Sequence, residues 1–77
     1  MNDDRSLSVW TIYRYPRDYP MHYVARRFAI GAGEALPTVD IICKRSLAVL
    51  RREMELRGLY RMGRAPTDPP HIIESWL

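Results

Sequence analysis

The side chains able to do chemistry are few and dispersed. Two histidines, His22 and His71, and a single cysteine, Cys43, are the soft or borderline ligands of the chain. No pair of them stands at the short spacing that a zinc site uses, so no metal site is expected. Cys43 lies in an apolar run, Val39 to Cys43, with neither a glycine-rich elbow nor a neighbouring histidine to activate it. It reads as a small buried hydrophobe. Asp18, Asp40, Asp68 and Glu74 are scattered. Nothing in their spacing pairs two of them for acid–base work, and no serine, histidine and aspartate fall into a triad motif. Asp18 and Asp68 adjoin prolines and read as turn makers. Gly31-Ala32-Gly33-Glu34 lacks the lysine and hydroxyl residue of a phosphate loop, and no helix starts at its end. The residues therefore point away from an enzyme, and no cofactor is expected.

Charge and aromatic content carry more information. Of the twelve basic residues all but Lys44 are arginine, against nine acidic residues, for a formal net charge of +3. Arginine suits planar partners such as carboxylates and phosphates. A charge of +3 is nevertheless small for a dedicated polyanion binder, and arginine-rich usage also follows from genome composition. Four of the five tyrosines fall between Trp10 and Ile30, a stretch that also holds Arg14, Arg26 and Arg27.

That stretch, WTIYRYPRDYPMHYVARRFAI, sets the frame for the rest. Two runs rich in β-branched and aromatic residues flank Pro16, Asp18 and Pro20, which is the pattern of a hairpin with a broad loop. The first strand is expected over Val9–Tyr15. Trp10, Ile12 and Arg14 share one face, and Val9, Thr11, Tyr13 and Tyr15 the other. Large residues on both faces imply at least partial cover on both sides. The second strand is expected over His22–Ile30. Val24, Arg26, Phe28 and Ile30 form the set expected to face the core, with Arg26 needing a partner or a path to the rim. Tyr23, Ala25, Arg27 and Ala29 take the opposite face.

Gly31 to Thr38 reads as a flexible loop closed by Pro37-Thr38, followed by a third strand over Val39–Cys43. A helix is expected over about 47–57. Ser46 is its N-cap, Leu47, Leu50 and Met54 form its apolar stripe, and Gly58 ends it with Leu59 folding back on Met54. Leu59–Met62 is a short fourth strand, Gly63–Pro70 a loop, and Ile72–Trp76 a fifth strand. In that last strand Ile72, Glu74 and Trp76 share a side, and Trp76 is too large to leave in water. Residues 1–7 show no periodicity and read as a flexible tail, which leaves 8–77 as a single domain.

Three groups of residues resemble a family of short uncharacterised bacterial and phage-borne proteins. They are Trp10-Thr11-Ile12-Tyr13 with Pro16-Arg17-Asp18-Tyr19-Pro20, then Tyr23-Val24-Ala25-Arg26-Arg27, and Asp68-Pro69 with Ile72-Ile73-Glu74-Ser75-Trp76. The resemblance spans most of the folded chain. Lys44-Arg45 departs from the acidic or small residue such proteins carry before the helix. The resemblance implies a phage or mobile-element origin and carries no activity with it.

The chain is thus expected to be an α+β domain, a small antiparallel sheet of four to five strands with one helix packed on one face. One cysteine fits a cytoplasmic protein, and no apolar run approaches a membrane span. The uncovered sheet face, carrying Tyr13, Tyr23 and Arg27 with Tyr15 and Arg14 close by, is the expected binding surface. Tyr and Arg are enriched at protein interfaces, so a protein partner or a homodimer is expected. The same residues stack on bases and meet phosphates, so nucleic acid is the alternative. Cross-strand packing of aromatics is the plain structural account of the tyrosines.

Overall fold

The computed structural model describes residues 7–77. The tail expected over residues 1–7 lies outside them, apart from Leu7, which opens the first strand. Strand β1 runs over Leu7–Arg14, β2 over Tyr23–Gly31, β3 over Glu34–Lys44, β4 over Arg61–Met62 and β5 over Ile72–Trp76. Helix α1 spans Leu47–Leu56 between β3 and β4. All five strands form one antiparallel sheet in the order β3-β2-β1-β5-β4. The α+β class is as expected.

The helix boundaries follow from local chemistry. Ser46 Oγ accepts from the Val49 backbone N–H, the N-cap bond of a serine three residues ahead. At the other end Gly58 takes a positive φ of 76°. There the Gly58 N–H donates to the Glu55 carbonyl and the Leu59 N–H to the Met54 carbonyl. These are the two bonds of a Schellman cap, and they turn Leu59 back against the core.

One buried cluster joins helix and sheet. Leu50 and Met54 of α1 lie in it with Trp10 and Ile12 of β1, Ala25 of β2 and Trp76 of β5. Trp76 is 3% exposed, so the C-terminal strand is part of the core, as its size demanded.

The face of β2 that meets this cluster is the reverse of the expected one. Register pairs Trp10 with Arg27, Ile12 with Ala25 and Arg14 with Tyr23. Residues directly opposite in an antiparallel pair share a face. Tyr23, Ala25 and Arg27 therefore lie on the cluster side, and Val24, Arg26, Phe28 and Ile30 on the other. Side-chain size in β2 pointed the wrong way because the helix needs room. The bulk on the cluster side comes from Trp10, Ile12 and Trp76, and Ala25 opposite Ile12 supplies the space.

β3 is also longer than expected. The segment 31–38 is not a loop. A two-residue turn at Ala32 and Gly33, both at positive φ (53° and 79°), returns the chain directly into β3. Positive φ at both central positions matches the right-handed twist of the flanking strands. Pairing with β2 then holds Glu34 to Pro37 in strand conformation despite poor intrinsic propensity. Pro37 is tolerated because β3 lies at the edge of the sheet. Between Arg26 and Phe28 the register shifts, and Thr38, Val39 and Asp40 bulge opposite Arg27.

β4 is shorter than Leu59–Met62, although Tyr60 still exchanges two backbone hydrogen bonds with Leu77. In β5 a register shift opposite Ile12 and Tyr13 pairs Ile12 with Glu74 but Tyr13 with Ile72. Ile72 therefore leaves the side of Glu74 and Trp76, against the simple alternation, and joins Tyr13.

Candidate interaction face and the arginine cluster behind it

The sheet has two chemically different faces. On the side away from α1, β1 presents Leu7, Val9, Thr11 and Tyr13, and β2 presents Val24, Arg26, Phe28 and Ile30. β3 adds Ala35, Pro37, Ile41 and Cys43, and β5 adds Ile72 and Ser75. A cavity of about 260 Å³ opens on it, lined by Val9, Phe28, Ile30, Ala35 and Ile72 and by the polar Thr11, Tyr13, Asp68 and Ser75.

Connecting segments cover two margins of this face. In the β1–β2 connection the Asp18 carboxylate accepts from Arg26 Nη2 at 2.5 Å, and the Arg26 guanidinium lies over the Tyr13 ring at 5.6 Å from its centroid. Asp18 thus serves as the partner that Arg26 required rather than only as a turn maker. That hydrogen bond holds the Asp18 carboxyl below its usual range. From the β4–β5 connection His71 stacks on Tyr13 at 5.7 Å. Burial raises the Tyr13 phenol, with Arg26 opposing and Asp68 adding to the shift. Val24 is completely buried and Pro16 is buried beside the hairpin, so this margin is closed. The partial cover expected from the large residues on both faces of β1 is therefore present.

The five residues expected to form one binding surface are split between the two faces. Tyr13 lies on the face away from α1. Tyr23 and Arg27 share a face, as their spacing requires, but it is the cluster side, where Tyr23 packs against the buried core. Arg27 Nε donates to Asp40 at 2.6 Å and its Nη1 to Ser8 Oγ at 2.9 Å. Thr38 Oγ1 donates to the Arg27 carbonyl, which fixes the bulge that brings Asp40 into reach. Tyr15 lies beyond the strand at a φ of 47° and tilts against Tyr23 at 5.2 Å. The neighbouring Tyr23 hydroxyl is the chief cause of a raised Tyr15 phenol. Arg14 is exposed beside Tyr23.

On the cluster side a second group was not anticipated. Glu74 is 4% exposed. Its carboxylate accepts Arg51 Nε at 3.0 Å and Arg51 Nη2 at 2.7 Å, and the Trp76 indole Nε1–H at 2.8 Å. Arg61 Nη1 lies 3.9 Å away. The hydrogen bond to Glu74 holds Arg51 above its usual range. The available signal was the alternation that put Glu74 beside Trp76 on an inward face, since a buried carboxylate must have a partner. The partner, 23 residues upstream, has no sequence mark.

Among the described residues no three His, Cys, Asp or Glu side chains gather to hold a metal ion, and no helix is long and apolar enough to cross a membrane. In comparisons with known proteins, no family model, curated protein or solved structure matches the chain. The resemblance at Trp10–Tyr13 with Pro16–Pro20, at Tyr23–Arg27 and at Asp68-Pro69 with Ile72–Trp76 therefore stands on those motifs alone.

Proposed function

We propose that this is a non-enzymatic interaction protein that self-associates through the sheet face away from α1. The observation that carries the reading is the composition of that face. It offers Val9, Phe28, Ile30 and Ile72 around an open cavity and Ile41 elsewhere on the same face, and its one arginine is already paired with Asp18. Contiguous apolar surface that the fold itself leaves uncovered marks an interaction site.

A second copy is the occupant that fits best. The face is mainly apolar, its one arginine is paired, and Asp68 at the rim of the cavity is its one acidic residue without an ion pair among the described residues, so two copies oppose little charge. A stable interface needs about 800 Å² per partner. That is roughly one seventh of the 5466 Å² surface of this chain, which a face on a molecule 39 × 27 × 22 Å can supply. The edge of the sheet is the poorer route, because Pro37 and the Thr38–Asp40 bulge interrupt β3 as a pairing template. Nucleic acid, the alternative, is disfavoured because Arg26 and Arg27 are neutralised by Asp18 and Asp40. A cytoplasmic setting and a phage or mobile-element origin belong to the same proposal, resting on composition and resemblance.

Sedimentation of the wild type and of Phe28→Asp tests it. The wild type should be dimeric at micromolar concentration and Phe28→Asp monomeric with an unchanged circular dichroism spectrum. A wild type that stays monomeric throughout refutes self-association. Binding of a single-stranded oligonucleotide that collapses between low and moderate salt would replace it with the phosphate-directed reading.

A further inference from the structure

A second cavity lies away from the proposed interface. It is an open cleft of about 540 Å³ between the C-terminal half of α1, the Gly58–Arg61 segment and β5. Its size falls within the range of small-molecule sites. Arg51, Arg61, Glu55, Tyr60 and Trp76 line it.

The geometry points to a binding site for a small oxyanion, a carboxylate or a phosphate, held by Arg61 and Arg51. Three features converge. First, Arg51 is pre-positioned. Two of its nitrogens are bound by the buried Glu74, while Nη1 makes no hydrogen bond among the described residues. An arginine fixed by a carboxylate behind it meets a ligand with little further loss of rotamer freedom. Second, Arg61 is a guanidinium with half its side chain exposed. Its nearest ion partner among the described residues is Glu74 at 3.9 Å, too long for a hydrogen bond. Third, two guanidiniums share one buried carboxylate, which leaves one positive charge around Glu74, with Glu55 on α1 as the other charge of the cleft. Trp76 cannot relieve it, because its indole N–H is itself a donor to Glu74.

The opposing features set the ligand class. Glu55 lines the same cleft, and the C-terminus of α1 ends there, with carbonyls of Met54 and Glu55 already capped. An extended polyanion would meet that negative wall. A small anion entering beside Arg61 would meet less of it. The exposed Tyr60 ring stands at the mouth, able to cover an apolar or planar portion of the ligand.

Because Trp76 Nε1–H donates to Glu74, its amide-type NMR signal reports on the cluster, and Trp10 supplies the other indole signal as an internal control. The full chain is titrated with sodium acetate, with inorganic phosphate, and with sodium chloride at matched ionic strength. Expected is a saturable shift of the Trp76 indole signal with acetate or phosphate and none with chloride. Arg61→Ala should weaken that binding about tenfold or more, the loss of one charged hydrogen-bonding partner. Glu55→Gln should tighten it. Both residues are exposed, so both variants should fold, and an unchanged circular dichroism spectrum verifies this. Preference between acetate and phosphate separates the two ligand sources. Shifts that chloride reproduces, or a saturable shift that Arg61→Ala leaves untouched, overturn the proposal. Neither result bears on self-association, which sedimentation reads separately.

Discussion

Leu50→Ala is the sharpest test of the core. Leu50 is fully buried, enclosed by Trp10, Ile12, Ala25, Met54 and Trp76. Truncation removes three buried carbons and leaves a void between helix and sheet. Such changes cost about 2–5 kcal/mol, depending on how far the site can collapse. Four neighbours place this site near the middle of that range, at about 3 kcal/mol. Trp10 and Trp76 are rigid, and Ile12 is held in the central strand, so they resist collapse. Met54 is flexible and can move partly into the space. A chain of 77 residues is expected to have a total stability of about 4–12 kcal/mol, so this is a large fraction. At about 4–8 °C per kcal/mol for a domain of this size, the melting temperature should fall by roughly 12–24 °C. Leu56→Ala is the matched control. It lies on the same helix, is 72% exposed, and should change stability by less than about 0.5 kcal/mol. Urea denaturation of both variants and the wild type at one protein concentration checks this, because self-association would make stability concentration-dependent. Equal effects of the two substitutions would refute the assignment of the Leu50–Met54 stripe as the face that anchors the helix.

Other outcomes follow from the same structure. Glu74→Ala should cost about 2–4 kcal/mol by chemical denaturation, since it strands the buried Trp76 N–H and unties Arg51. A loss near zero would mean that water satisfies both groups. Deleting Trp76 and Leu77 should abolish cooperative thermal unfolding or lower its midpoint steeply, through loss of a core aromatic and of the Tyr60–Leu77 backbone pair. Gly33→Val should destabilise by about 1–2 kcal/mol, because a β-branched residue at a φ of 79° is strained. Asp18 has a depressed carboxyl pKa in the folded state, so its contribution is present above the unfolded carboxyl range and lost as pH falls through the folded value. Stability measured against pH should therefore separate wild type from Asp18→Asn at neutral pH and bring the two together in acid.

The sequence by itself determined the elements whose signals are local. Ser46 and Gly58 mark the ends of α1 because a cap is made by neighbouring backbone groups. The Trp10–Ile30 run declared a hairpin because strand alternation and prolines act over a few residues. The size of Trp76 required burial wherever the strand lay. Residue spacing carried no catalytic or metal motif, and Tyr13, Tyr15, Tyr23, Arg14 and Arg27 had identities without a fixed face. Tertiary structure decided what depends on partners distant in the chain. Which face of β2 met the helix turned on the bulk of Trp10, Ile12 and Trp76, and on the space left by Ala25. The length of β3 came from pairing with β2 through a two-residue turn, not from the propensity of Glu34 to Pro37. A register shift moved Ile72 to the face of Tyr13, and one at Thr38–Asp40 set Asp40 on Arg27. Arg51 and Glu74 stand 23 residues apart, and only the packing of α1 against β5 makes them a pair. A one-residue change of register exchanges the faces of a strand, so the surface that a β-protein offers is fixed by pairing as much as by composition.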